Sequence, residues 1–309
     1  MTSRRLARTV TALGTVALLA LTGCAATNAD TEPAASVQTR TVEHYFGETE
    51  IGSTARVAVL DGDRTLEAVV ALGVQPVAAV KPPLTGDYSS VVRERLDKEP
   101  TDIGAAEGEV NYEALLASEP DLIIMNAQAE SDREVYDQAS AIAPTIAIEY
   151  TAAGWKDVLT KLGHVFDRSD AAADLIAAYD EKAATTRDAL DVAGTTTSVV
   201  RVRADSVRYM TQEGSFPWTV LKDLGYTAPK AQELGDDEVQ TVTVSLENID
   251  ILAADRIVLL TDAGTEDAAA TLLDGPVFAN AHVKSLPSSE FLFGNVLTAQ
   301  HMLDELASL

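Results

Sequence analysis

The chain has a single cysteine, Cys24, in 309 residues. One thiol cannot form an internal disulfide or supply a Cys-rich zinc or iron–sulfur centre. Basic residues are scarce as well: 23 Lys and Arg stand against 48 Asp and Glu, a formal charge of −25. Holding a phosphate backbone needs basic patches, so no nucleic-acid partner is expected. The histidines, His44, His164, His282 and His301, are scattered, and a bare metal ion would want them clustered with carboxylates. G-x-S-x-G, P-loop and H-E-x-x-H motifs are missing too. The chain therefore reads as a binding protein with no cofactor of its own rather than as an enzyme. Asp61-Gly62-Asp63 reads as a strand-to-helix turn. No apolar run reaches the ~20 residues that a membrane-spanning helix requires.

The features present begin at the N-terminus. Arg4, Arg5 and Arg8 precede a short apolar stretch, about Val10 to Leu21, that ends in Leu21-Thr22-Gly23-Cys24. Basic, apolar and small residues in that order mark a signal peptide. A Gly-Cys pair at its end resembles a lipobox, where cleavage precedes a cysteine that carries lipid. Residues 1–23 are thus read as a lipoprotein signal peptide, with acylated Cys24 holding the protein to the outer face of the cell membrane. An ordinary secretory cut is the alternative. Ser3-Arg4-Arg5 touches the twin-arginine pattern without the rest of it, which leaves the export route open. Residues 24–41, rich in Ala, Thr, Asp, Glu, Pro and Ser, read as a flexible tether.

Beyond the tether, strand and helix signals alternate. Arg56 to Leu60 (RVAVL), Val77 to Val80, Leu122 to Met125 (LIIM) and Thr145 to Ile148 read as strands, with helices near 64–72, 111–118 and 131–141. His44 suits an early hairpin turning at Gly47. The alternation predicts a parallel sheet covered on both faces. From Gly154 to about Val192 the apolar spacing is almost wholly helical, with a kink or new start near Asp167 to Ser169 and Ser169 as a possible N-cap. Residues 169–192 alone would run ~36 Å. The second half resumes with Ser198 to Arg203 and Val207 to Met210, a hairpin around Ala204-Asp205. Helices near 217–224 and from Leu246, a strand at Arg256 to Leu260, and a last helix near 296–306 follow. The expected organisation is an N-terminal α/β lobe over 42–152, an inter-lobe helix over 153–193 and a C-terminal α/β lobe over 194–309.

The two halves share a pattern. Asn111-Tyr112-Glu113 precedes Pro120-Asp121-Leu122, and Ser245-Leu246-Glu247 precedes Ala254-Asp255-Arg256. Each glutamate follows an N-cap type residue and lies at the positive end of a helix dipole. Each is followed, at equal spacing, by an aspartate that opens a strand. Acids suit helix starts in any protein. The matched spacing also fits two equivalent acidic knobs, one per lobe, for a partner with two basic sites.

With these parts in order, the chain from about Val42 to Leu309 resembles the solute-binding proteins of ABC importers for iron–siderophores, haem and cobalamin. The resemblance rests on residues 56–80, NYEALLASEPDLII (111–124), the long helix, SVVRVRADSVRYM (198–210), GSFPWTVLKDLG (214–225), SLENIDILAADRIVLL (245–260) and GNVLTAQHMLDEL (294–306). It implies two Rossmann-like lobes joined by one long helix, a ligand cleft between them, modest closure and a monomer that delivers its ligand to a membrane permease dimer. It also implies that Glu113 and Glu247 meet arginines of that permease. Arg201 and Arg203 lead the ligand-site candidates, because alternate strand residues share a face and two guanidiniums suit an oxygen-rich iron chelate. The alternative is a solvated strand face paired with acids of this acidic chain. Arg208 and Tyr209 lie across the hairpin, and Phe216, Trp218 and Phe293 could form an aromatic wall. Relatives often carry tryptophan near the position of Phe293. Lys81 and Tyr88 are weaker candidates from the N-lobe loops, which also include Asp61-Gly62 and 126–128. The expected ligand is a ferric siderophore. Haem or cobalamin is the alternative within the group, haem requiring an axial Tyr or His. A surface lipoprotein without transport function is the alternative outside it.

Overall fold

Strands β1 (Arg40–His44) and β2 (Gly47–Ile51) form a hairpin at the start of the computed structural model, which describes residues 39–104, 109–151, 153–233, 239–307 and 309. The expected signal peptide, Cys24 and the expected tether as far as residue 38 lie outside the described residues. The tether expected over residues 24–41 does not extend through Arg40 and Thr41, which are strand. Arg40 and Thr41 already pair with Ile51 and Glu50, and Arg40 donates to the His164 carbonyl at 3.0 Å. The hairpin is fixed to the body by the Tyr45 amide, which donates to the Ala147 carbonyl at 2.9 Å.

The N-lobe sheet has five parallel strands, β3 (Val57–Val59), β4 (Ala78–Ala79), β5 (Thr101–Asp102), β6 (Leu122–Ala127) and β7 (Thr145–Glu149), ordered β5-β4-β3-β6-β7. Helices α1 (Arg64–Ala71), α2 (Ser90–Arg93), α3 (Tyr112–Ala117) and α4 (Arg133–Ser140) accompany it. The strands read as continuous apolar runs because both faces are covered. Val57, Val59, Leu122 and Ile124 enter one cluster, while Ala58, Ile123 and Met125 enter another on the opposite face. The turn after β3 is capped from within: Asp61 Oδ1 accepts from the amides of Asp63 at 3.0 Å and Thr65 at 3.2 Å. Gly62 is required there, since a Cβ would stand 2.3 Å from the Val80 carbonyl oxygen.

The inter-lobe stretch is two helices rather than one, α5 (Trp155–Val165) and α6 (Ser169–Ala189). Asp167 takes φ +54°, a left-handed turn that an unbroken helix does not permit. Ser169 is already helical and Arg168 is the cap residue, with no side-chain cap. The two helices pack together closely, because Gly163 leaves room for Ala172, whose Cβ would lie 2.7 Å from a Cβ at 163.

The C-lobe comprises β8 (Thr197–Val202), β9 (Val207–Met210), α7 (Phe216–Asp223), β10 (Thr241–Val244), β11 (Arg256–Thr261), α8 (Glu266–Leu273), β12 (His282–Pro287), α9 (Ser288–Phe291) and α10 (Val296–Leu306). Its sheet is ordered β10-β9-β8-β11-β12, with β8, β11 and β12 parallel and β9 antiparallel to both of its neighbours. The helix expected from Leu246 is a 3₁₀ segment, Leu246–Leu252, kinked at Asn248.

Helices α1, α5, α6, α7 and α10 share one inner core, with Leu66, Leu159, Tyr179, Leu221 and Met302 among its members. The last helix, α10, packs on α6 and returns to α1. Two carboxylates cross between the lobes in opposite directions. Glu67 of α1 accepts from the Thr298 amide (2.9 Å) and hydroxyl (2.7 Å) in the first turn of α10. Glu290 of α9 accepts from the Ser90 amide (2.8 Å) and hydroxyl (2.7 Å) at the start of α2.

Candidate functional site

Ligands of parallel α/β sheets bind beyond the carboxyl ends of the strands. Here those ends enclose a cavity of about 770 Å³ between the lobes. Pro83, Leu84 and Thr85, after β4, form the N-lobe side. Arg203, Ala204 and Asp205 come from the tip of the β8–β9 hairpin, Asp262, Ala263 and Thr265 from the turn after β11, and Ser288 and Ser289 from the start of α9.

Arg201 and Arg203 face one side, as strand alternation requires, although Arg203 lies one residue past the end of β8. Val200 and Val202 enter the outer C-lobe cluster on the other side. Both arginines converge on Asp262. Arg201 Nε donates to Oδ1 at 3.0 Å and Nη2 to Oδ2 at 2.9 Å, a bidentate pair. Arg203 Nε stands 3.7 Å from Oδ2. Arg201 is 6% exposed and Arg203 only half-buried, so the second is the more open of the two. Burial alone would raise the Asp262 carboxyl. Hydrogen bonding from Arg201, the nearby Ser288 hydroxyl and the two arginine charges outweigh burial and hold it below the usual carboxylate range. The Ser288 hydroxyl is buried beside this carboxylate without a hydrogen bond of good geometry. Arg208 pairs in register with Arg201 across the hairpin, and its Nε is buried with no partner.

The other candidates are not among the residues that line the cavity. Tyr209 falls on the opposite face from Arg208, 1% exposed among Val200 and Val202, because neighbouring strand residues alternate sides. Trp218 is fully buried and donates from Nε1 to the Met210 carbonyl at 2.9 Å. With Phe216 it belongs to the inner core, so the expected aromatic wall is lobe interior. Phe293 is half-buried under Arg64, whose guanidinium lies 3.9 Å from its ring centre and 4.8 Å from that of Tyr150. Lys81 pairs with Glu99 and lies 4.2 Å above the Tyr88 ring. Tyr88 is buried, and burial with nearby acids pushes its hydroxyl far up.

Sequence reasoning missed Asp262, Arg64 and the hydroxyls of Thr265 and Ser288. One signal was available: Asp262 directly follows the apolar β11 run, at a strand's carboxyl end. Arg64 forms an ion pair with Asp61 at 3.3 Å, and Asn126 Nδ2 donates to the same carboxylate at 2.7 Å. This second polar cluster stands at the ends of β3 and β6.

Glu113 and Glu247 are both exposed at helix starts. Asn111 caps as its sequence implied, accepting from the Ala114 amide at 3.0 Å. Ser245 makes no side-chain cap, and its hydroxyl instead accepts from Asn248 Nδ2 at 3.1 Å. The repeated aspartates do the same work in both lobes. Asp121 accepts from the Arg56 amide (3.2 Å) just before β3, and Asp255 from the Thr196 amide (2.7 Å) just before β8.

Residues 57–288 match the periplasmic binding protein family. YfiY of Bacillus subtilis, named a probable siderophore-binding lipoprotein, is 32% identical over 255 residues, 80% of this chain and 76% of its own length. The structure of Staphylococcus aureus SirA complexed with staphyloferrin B aligns with a TM-score of 0.74 at 27% identity, covering 87% of this chain and 98% of that one. FeuA of Bacillus subtilis, a triscatecholate siderophore binding protein, shares the fold with a TM-score of 0.70 at 19% identity, covering 87% and 97%. The two lobes with an intervening cleft are the architecture expected from the sequence.

Proposed function

We propose, for a chain that belongs to the periplasmic binding protein family, that it captures a ferric siderophore outside the cytoplasm and delivers it to an ABC permease. The observation that carries this reading is the cavity of about 770 Å³ at the strand ends, with Arg203 on its wall. Its volume lies within the ~300–1,000 Å³ of small-molecule sites, and a guanidinium suits the oxygens of an iron chelate. Relatives named for siderophore binding support it. Haem is disfavoured, because among the described residues lining the cavity none is Tyr or His.

In this reading lipid on Cys24 holds the protein near its permease. Glu113 and Glu247, one per lobe, dock on basic sites of that permease. Titration with chemically distinct ferric siderophores, haem and cobalamin tests capture, read by tryptophan fluorescence and calorimetry. At least one ferric siderophore is expected to saturate the protein. Arg203→Ala is expected to weaken it by about tenfold, the loss of one charge-assisted hydrogen bond. Failure of every ferric siderophore to bind overturns the reading.

A further inference from the structure

Asp262 occupies the place where an anionic ligand would be expected to meet the arginines. Its carboxylate fills the Arg201 fork and lies 3.7 Å from Arg203. Asp205 adds a second acid to the same wall, and its Oδ1 accepts from the Ser206 hydroxyl at 3.0 Å. The remaining polar side chains of the lining, Thr85, Thr265, Ser288 and Ser289, are uncharged hydroxyls. Within the lining itself the two acids, Asp205 and Asp262, stand against one cation, Arg203, and Asp262 also fills the fork of Arg201 behind it, so this wall offers hydrogen-bonding dipoles rather than net positive charge. The chain as a whole, at −25, repels anions further. A multiply charged anion entering the cleft would lose hydration without matching compensation.

We propose that Asp262 sets the charge class of the ligand, so that the cleft selects a ferric chelate of low net charge, of the trishydroxamate kind, over a trianionic tris-catecholate. The proposal rests on siderophore capture as the reading of the cleft. The chemistry behind the distinction is simple. Each hydroxamate brings one negative charge, so three neutralise ferric iron. Each catecholate brings two, so three leave a trianion. Asp262 acts twice: by its own charge, and by holding Arg201 back in a bidentate pair while Arg203 donates to the chelate.

The experiment compares ferrioxamine B, ferric enterobactin and ferric citrate on wild type, Asp262→Asn and Asp205→Asn by calorimetry at two salt concentrations, with melting curves to verify folding. Wild type is expected to bind ferrioxamine B at least tenfold tighter than ferric enterobactin. Asp262→Asn is expected to narrow that ratio by about tenfold, mainly by improving the anionic chelates, with the gain shrinking at higher salt. Asp205→Asn leaves the Arg201 fork intact, moves the ratio the same way, and decides the matter if Asp262→Asn does not fold. Wild-type preference for the tris-catecholate, or a ratio that neither folded variant moves, overturns the charge selection and leaves capture standing. Absence of binding by any ferric chelate overturns capture itself.

Discussion

Glu67 lies fully buried beneath the first turn of α10, with both carboxyl oxygens engaged by Thr298. Burial pushes its pKa from 4.5 up to about 7, against the lowering pull of those hydrogen bonds. The folded protein therefore keeps a proton that the unfolded chain releases above pH 4.5. Stability from this group is complete below 4.5 and is lost as pH rises through about 7. The shift corresponds to about 3 kcal/mol at ~1.4 kcal/mol per pH unit. As an acid, Glu67 can accept the Thr298 amide with one oxygen and donate to the Thr298 hydroxyl with the other. Glutamine can do the same. Glu67→Gln is thus expected to flatten the fall in unfolding free energy between pH 4.5 and 7 and to stabilise the protein at pH 8, measured by urea denaturation across that range. An unchanged slope would show that the carboxyl does not titrate there.

At the scale of elements, the joint between α5 and α6 depends on a missing side chain. Gly163 faces Ala172, and a Cβ at 163 would also approach the Arg168 carbonyl at 3.2 Å. Alanine improves a helix interior by ~1 kcal/mol over glycine, while overpacking costs about 1–3 kcal/mol. The close contact should win. Gly163→Ala is expected to destabilise by about 1 kcal/mol, and Ala172→Gly in the same chain should offset part of that by relieving the clash. A denaturant double-mutant cycle checks it; strict additivity would mean the helices do not press together at this point. The matched aspartates belong to this scale as well, because each ties the start of one strand to its parallel neighbour.

In the whole molecule, the lobes meet through α5 and α6, through α10, and through the crossed carboxylates Glu67 and Glu290. So many links suit small closure and a fixed separation of surface groups. That matters for the proposed docking, since two exposed glutamates would act together only if their spacing is held. Glu113→Lys with Glu247→Lys is expected to abolish uptake of iron chelate by cells while the purified variant binds chelate with unchanged affinity. Normal uptake would remove these residues from the docking role.

Much of this was legible in the chain before folding. Strand and helix periods, the aspartate repeat and the shared face of Arg201 and Arg203 follow from local backbone geometry, which a few neighbouring residues decide. The tertiary structure decided the rest, because burial and pairing join residues far apart in sequence. Asp262 neutralises an arginine 61 residues away, and Tyr209 and Trp218 are spent on the cores. The scarcity of basic side chains was visible from composition. Only the fold shows that Arg201 and Arg203 both meet Asp262, and that Arg203 is the half-buried cation on the cavity wall.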